Sequence, residues 1–179
     1  MIERDKTVLA VIDFQDKLLP KIPVADAIIA RAAKLIRFAR ELSIPILWTE
    51  QYRNGLGPTN SAIVDELDSV PALEKMAFSC VGDAAIAGAL SQMGRSQLLL
   101  TGVEAHICVM QTGLQALEKG YQVFVARDAV ASRVKSEYKA GLARMQRAGA
   151  ELVTVEMAMF ELLRVAGTPE FKKVLPLLK

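Results

Sequence analysis

Apolar residues follow two rhythms along this chain. Short, mostly apolar runs, many of their residues β-branched or aromatic, recur at 8–12, 45–48, 97–100, 121–125 and 151–155. Most lack the apolar–polar alternation of a half-exposed strand. That pattern predicts strands buried on both faces, as in a parallel sheet covered by helices. Between these runs, apolar residues return every three or four positions. Ile28, Ala32, Leu35, Ile36 and Ala39 form one helical face, with Asp26 as its expected N-cap. That helix must stop near Ser43, because Ile44 precedes Pro45 and is pushed toward extended backbone.

Three more helices follow the same logic. Asp83 can cap one that runs to Gly94. Ile107, Met110, Leu114 and Leu117 share a stripe that ends at Gly120. Residues 135–148 form another, closed by Gly149. The segment NGLGPTNS at 54–61 is rich in turn formers and reads as a loop, and 156–179 reads as one or two short packing helices. Strands alternating with helices imply right-handed βαβ units. The expected fold is α/β: a Rossmann-like, three-layer α/β/α, doubly wound and mainly parallel sheet of about six strands, with Lys75 on a short extra strand or a loop. No linker or repeat divides the chain, so a single domain over 1–179 is expected.

Composition narrows the function classes. Of 179 residues, 52% are hydrophobic and 23% charged, which favours a folded core over disorder. The net charge is only +2, and the basic residues lie at helical spacing between apolar ones, as in RAAKLIRFAR. A nucleic-acid surface would need a concentrated basic stripe with aromatics, so no nucleic-acid partner is expected. No apolar run reaches membrane-spanning length, so no membrane partner is expected either. Two cysteines make no disulfide framework, and the N-terminus lacks an apolar signal core. A soluble protein of a reducing, cytoplasmic compartment fits these features.

In an open α/β sheet, ligands bind beyond the carboxyl ends of the strands. Asp13 lies at the end of the first run, Thr49-Glu50-Gln51-Tyr52 at the end of the second, and Gly102–His106 beyond the run at 97–100. Cys108 opens the helix that follows, where helix N–H groups and the dipole stabilise a thiolate or an oxyanion. A small buried hydrophobe explains a free cysteine equally well. Taken singly, Asp13 reads as a turn cap, Lys75 as a surface lysine, His106 as a half-buried histidine, and Asp128 as a turn residue or an acceptor for a neighbouring loop. One histidine in the whole chain speaks against a metal site. The turn after the first strand, DFQDKLLP, has no GxGxxG or GxxxxGK[ST], so no nucleotide cofactor is expected.

Four segments in order then carry a family resemblance: VIDFQDKLLP (11–20), TEQYRNGLGPT (49–59), EKMAFS (74–79) and TGVEAHICVMQT (101–112). With these the chain resembles the isochorismatase-like, or cysteine, hydrolases, and most closely the branch of isochorismatase domain-containing proteins. The resemblance implies an Asp13–Lys75–Cys108 triad. It implies a non-proline cis peptide between Val103 and Glu104, which turns a backbone N–H near Ala105 toward an oxyanion. Cys108 would attack a carbonyl carbon of a small-molecule substrate. Asp13 would shuttle the proton, and Lys75 would favour the thiolate and keep Asp13 ionised. Phe14, Tyr52, Phe78 and His106 are candidate pocket walls. The family commonly forms homo-oligomers, and the apolar C-terminal residues Phe171, Val174, Leu175, Leu177 and Leu178 would pack either on a neighbour or on their own domain.

Departures from the wider family matter as well. Nicotinamidases of the family carry a metal site after the second strand, where this chain has Glu50-Gln51-Tyr52 and no histidine. True isochorismatases cleave a vinyl ether without a cysteine nucleophile, so Cys108 leans toward amide-type chemistry. A non-catalytic protein that keeps the fold is the alternative of another class.

Overall fold

The computed structural model describes residues 1–178. Its centre is a six-stranded parallel sheet of β1 (Thr7–Ile12), β2 (Ile46–Gln51), β3 (Ala72–Lys75), β4 (Gln97–Val103), β5 (Gln122–Ala131) and β6 (Glu151–Val153). The strand order is β3-β2-β1-β4-β5-β6. The chain winds outward from β1 in one direction, then returns to start β4 on its other side. β1 and β4 therefore diverge in their outgoing connections, and a crevice opens at their carboxyl ends.

The apolar runs are explained by burial on both faces. Every residue of β1 and β4 is buried. Leu9 and Val11 point into one core layer, under α1 (Ala25–Glu41), α3 (Ser61–Leu67), α7 (Val155–Leu163) and α8 (Pro169–Leu178). Val8, Ala10 and Ile12 point into the other, under α4 (Ala84–Gln92), α5 (Met110–Glu118) and α6 (Lys135–Arg147). Each fully buried Leu, Ile or Phe contributes about 1.5–3 kcal/mol of transfer free energy, so the two layers supply most of the drive to fold.

Several local expectations are corrected. Asp26 is not the cap of α1. The helix starts at Ala25 after Val24, without a side-chain cap, and Asp26 lies in its first turn. Its charge still favours that end of the helix dipole. β5 does not stop at Val125. After a register irregularity against β4 it continues through the second apolar run Ala129–Ala131. Asp128 sits within that strand, where it accepts the Val155 N–H at 2.8 Å and starts α7. The expected loop at 54–61 is shorter than that: 54–56 belong to α2 (Arg53–Leu56), Ser61 opens α3, and Asn60 caps α3 by accepting the Ala62 N–H at 3.1 Å. The C-terminal segment packs on its own chain, with Val174 fully buried and Leu177 and Leu178 against the α1 layer.

Candidate active site

Three strand ends and one helical segment converge at the crevice. Asp13 follows β1 with φ 54°, a left-handed conformation that Asp tolerates better than most residues. Its N–H donates to the Thr49 carbonyl at 3.1 Å, which ties the end of β1 to β2. Lys75 ends β3, the outermost strand on that side. Cys108 stands in a π-helical turn, Ala105–Val109, that runs directly into α5. The Glu104 carbonyl begins that turn by accepting from Ile107 N at 3.0 Å and Val109 N at 3.3 Å. The Val103–Glu104 peptide is cis, at the position the family resemblance implied.

Two glycines allow this close assembly. A Cβ on Gly102 would lie 2.1 Å from the Ile12 carbonyl oxygen, and its φ of +134° is closed to ordinary side chains. A Cβ on Gly141 would lie 2.8 Å from His106 Cα and 3.0 Å from the Ala105 oxygen. The backbone of α6 therefore touches the turn that carries Cys108.

Lys75 and Asp13 form an ion pair with Nζ 2.7 Å from Oδ2, and neither side chain is exposed. Lys75 spends its two other protons on Gln51 Oε1 at 2.7 Å and the Phe78 carbonyl at 3.1 Å. Asp13 Oδ1 accepts from Thr49 Oγ1 at 2.9 Å, and the carboxylate lies near enough to the Cys108 thiol for the two to influence each other's ionisation. Gln51 is held in turn. Its Nε2 donates to the Met76 carbonyl at 2.9 Å, which leaves Oε1 for Lys75. Gln15 accepts the Gln51 N–H at 2.8 Å and donates to the Gln51 carbonyl at 3.0 Å. Every member of this buried network has a partner, the condition under which buried polar groups rigidify a site.

The electrostatics define a resting state. Burial pushes the Asp13 carboxyl above its ordinary value, although the Lys75 charge and the hydrogen bonds from Lys75 and Thr49 pull the other way. Burial opposes the charge on Lys75, but Asp13, Cys108 and Cys80 outweigh it and raise its pKa. The Cys108 thiol is pushed well up, first by burial and then by the Asp13 charge, which outweigh Lys75. Both effects favour a neutral thiol at rest, because its immediate neighbour is a carboxylate in a dry site. The arrangement is a base poised beside an undissociated nucleophile, able to take the proton as attack proceeds.

The candidate pocket walls divide. Phe14 is not one: at 0% exposure it is anchored in the α1 core layer, opposite the layer that contains Cys108. Tyr52 and Phe78 are 47% and 53% exposed at the rim, each tied to Lys75 by its backbone. His106 is half-buried, with Nδ1 2.9 Å from Ser132 Oγ. The buried Glu104 binds Arg133 through its backbone N–H at 2.9 Å and through Nε at 3.0 Å. Glu50 accepts from Thr59 and pairs with Arg53, so neither of its oxygens is free for a metal. Among the described residues no three His, Cys, Asp or Glu side chains converge on a common point. The sequence marks Thr49 and Gln51 only as polar residues at the end of the second strand, and Cys80 only as a second cysteine, one position past EKMAFS; it gives none of them a role.

The fold and site define the class. The Isochorismatase domain profile matches residues 7–157, and the chain belongs to that family. It is 39% identical to mouse (Mus musculus) isochorismatase domain-containing protein 2A over 180 residues, covering 98% of this chain and 84% of the mouse protein. A solved structure described as MAR1 ribonuclease from Caenorhabditis elegans matches with a TM-score of 0.93 and 35% identity, over 99% of this chain and 91% of that one. YcaC from Pseudomonas aeruginosa, solved with hexane-2,5-diol and covalent acrylamide, matches with a TM-score of 0.90 and 25% identity, over 98% and 90% of the respective chains.

Proposed function

We propose that this protein is a metal-independent cysteine hydrolase of a small amide, carbamoyl or related carbonyl compound, working through a thioester on Cys108. The observation that carries the reading is the fully buried Lys75–Asp13 pair at 2.7 Å, set close enough to Cys108 for both charges to act on its thiol. A buried ion pair whose members also face a nucleophile is poor stabilising material but useful acid–base machinery.

The steps follow from that geometry. Cys108 Sγ attacks the carbonyl carbon while its proton passes to Asp13. Charge collects on the carbonyl oxygen, which faces backbone N–H groups of the turn around Ala105 and Cys108. Collapse re-forms the carbonyl and breaks the C–N bond as Asp13 returns the proton to the leaving nitrogen. Water then attacks the thioester. Asp13 takes its proton and passes it to the departing sulfur. Lys75 keeps Asp13 ionised between these transfers. Tyr52, Phe78 and His106 bound the entrance, and a homo-oligomer is part of the proposal.

The test is Cys108→Ala against a panel of small amides and carbamoyl compounds. Loss of turnover is expected, and retained turnover would sink the covalent mechanism. The covalent acrylamide of the Pseudomonas aeruginosa relative makes acrylamide a suitable probe, with an adduct expected on Cys108 by peptide mass mapping. RNA belongs in the panel because of the Caenorhabditis elegans relative. No cleavage is expected, since the triad's only cation spends its donors inside the protein.

One observation favours a second reading, a non-catalytic protein that retains the fold: Cys108 is only 7% exposed and its thiol is held neutral. Labelling separates the two. Iodoacetamide should modify Cys108 faster than Cys80, and Lys75→Ala should slow it; equal, sluggish modification of both would favour the scaffold. Vinyl-ether hydrolysis predicts instead that Cys108→Ala stays active on isochorismate.

A further inference from the structure

Asp13 must gain and lose a proton in each cycle, and its two oxygens are not equally prepared for it. Oδ2 accepts from Lys75 Nζ at 2.7 Å. An ammonium group has donors only, so Oδ2 stays committed to a fixed cationic N–H, which makes it the less basic of the two oxygens. Oδ1 accepts from Thr49 Oγ1 at 2.9 Å. A hydroxyl has one proton and two lone pairs, and it can reverse its role if it has somewhere else to donate. Thr49 has that second partner: Cys80 Sγ lies 3.7 Å from the same oxygen.

Cys80 is fully buried, and the chemistry described above does not use it. It is nevertheless firmly placed. Its N–H donates to Thr112 Oγ1 at 2.9 Å, and Thr112 stands in α5, one turn beyond Cys108 on the same continuous helical segment. Cys80 is thereby fixed beside the group that orients the base.

We propose that Thr49 and Cys80 are positioning residues that form a reversible hydrogen-bond chain, so that the reaction's proton is received on Asp13 Oδ1. The proposal rests on the cysteine-hydrolase reading and specifies how its base works. With Asp13 ionised, the Cys80 S–H donates to Thr49 Oγ1 and the Thr49 O–H donates to Oδ1. When Cys108 forms its bond to carbon, its proton passes to Oδ1. The new carboxyl O–H donates to Thr49 Oγ1, and the Thr49 hydroxyl turns its own proton to Cys80 Sγ. No bond to Cys80 breaks, and return of the proton to the leaving nitrogen restores the first arrangement. The ionisable groups facing Asp13 are Lys75 from β3, Cys108 from the helical turn and, beyond Thr49, Cys80. Burial pushes the Cys80 thiol up to about 11, so it keeps its own proton throughout.

The experiment is the rate of acrylamide addition to Cys108 as a function of pH, read by intact mass and peptide mapping. It compares wild type with Thr49→Val, Thr49→Ser, Cys80→Ala and Cys80→Ser, each checked for folding by circular dichroism. Thr49→Val should slow the plateau rate about ten- to a hundredfold, the loss expected for one hydrogen bond to a charged group. It should also move the acid limb to higher pH, because the carboxylate loses a donor. Cys80→Ala should slow the plateau about two- to fivefold, and Cys80→Ser should recover most of that loss because a hydroxyl both donates and accepts. A Cys80→Ala protein with the wild-type rate and profile overturns the proposal, as does an equal loss in Cys80→Ala and Cys80→Ser. Should the Cys80 variants not fold, the Thr49 pair decides: Thr49→Ser no faster than Thr49→Val overturns it. A separate control protects the distinction from the underlying reading. Wild-type addition that Asp13→Asn leaves unchanged overturns the triad itself, and the chain with it.

Discussion

Replacing Lys75 by Met tests whether the buried pair is what holds the site in its charged form. Met keeps the bulk of the side chain and removes the ammonium. Three acceptors then lose a donor: Asp13 Oδ2, Gln51 Oε1 and the Phe78 carbonyl. Both charged side chains are fully buried, so water does not substitute for the missing partner. Removing one member of such a pair costs about 3–5 kcal/mol, a large fraction of the roughly 5–15 kcal/mol that holds a domain together.

The loss should depend on pH, and its sign follows from Asp13. Burial already raises this carboxyl above 3.8, and without Lys75 it rises further. A folded-state pKa above the unfolded one means that the native protein holds the proton more tightly. The stability this contributes is fully present below the unfolded value and is lost as pH rises through the folded one. The deficit of Lys75→Met against wild type should therefore be largest near neutrality and shrink on acidification. Urea unfolding followed by circular dichroism at about pH 7 and about pH 4.5 measures both values. A deficit below about 1 kcal/mol, or one equal at the two pH values, would refute the reasoning, because a solvated surface pair behaves that way.

Two further outcomes follow from the same geometry. Gly141→Ala drives a methyl group against the backbone of Ala105 and His106, so it should cost about 1–3 kcal/mol and slow acrylamide addition to Cys108; wild-type values for both would show that α6 yields freely. Between the ordinary thiol value of 9.0 and about 11, the unfolded chain releases the Cys80 proton while the native protein keeps it, so stability should fall across that window. Urea midpoints at about pH 8 and about pH 10.5 should show the fall, and Cys80→Ala should flatten it; parallel slopes would mean that Cys80 is not buried as described.

Much of the framework was legible in the linear pattern. Five mostly apolar runs marked five of the six strands, since a strand covered on both sides has no polar face to display. Asp83 was readable as a cap because a carboxylate before a helix has one clear use, and it accepts from the Ala85 and Ile86 N–H groups. Asp26 misled for a related reason: an acidic residue in the first turn of a helix looks the same in sequence as one at its cap. The continuation of β5 past Arg127 and Asp128 was not legible, because a charged pair inside a strand resembles a turn until Arg31 and the start of α7 supply its partners.

The site divides along the same line. By itself the sequence determined which residue types lie at the strand ends; the family resemblance carried by four ordered motifs added Asp13, Lys75 and Cys108 as an expected triad. Only the tertiary structure decided what surrounds them. It turned Phe14 into the core, gave the protons of Lys75 to Gln51 and Phe78, and set Thr49 and Cys80 behind Asp13. It also left Cys108 a neutral thiol at rest. Strand-end position follows from local apolar pattern, which a sequence carries residue by residue. Protonation and orientation depend on burial and on partners from β1, β2, β3 and the helical turn, brought within a few ångströms of one another only when the sheet is assembled.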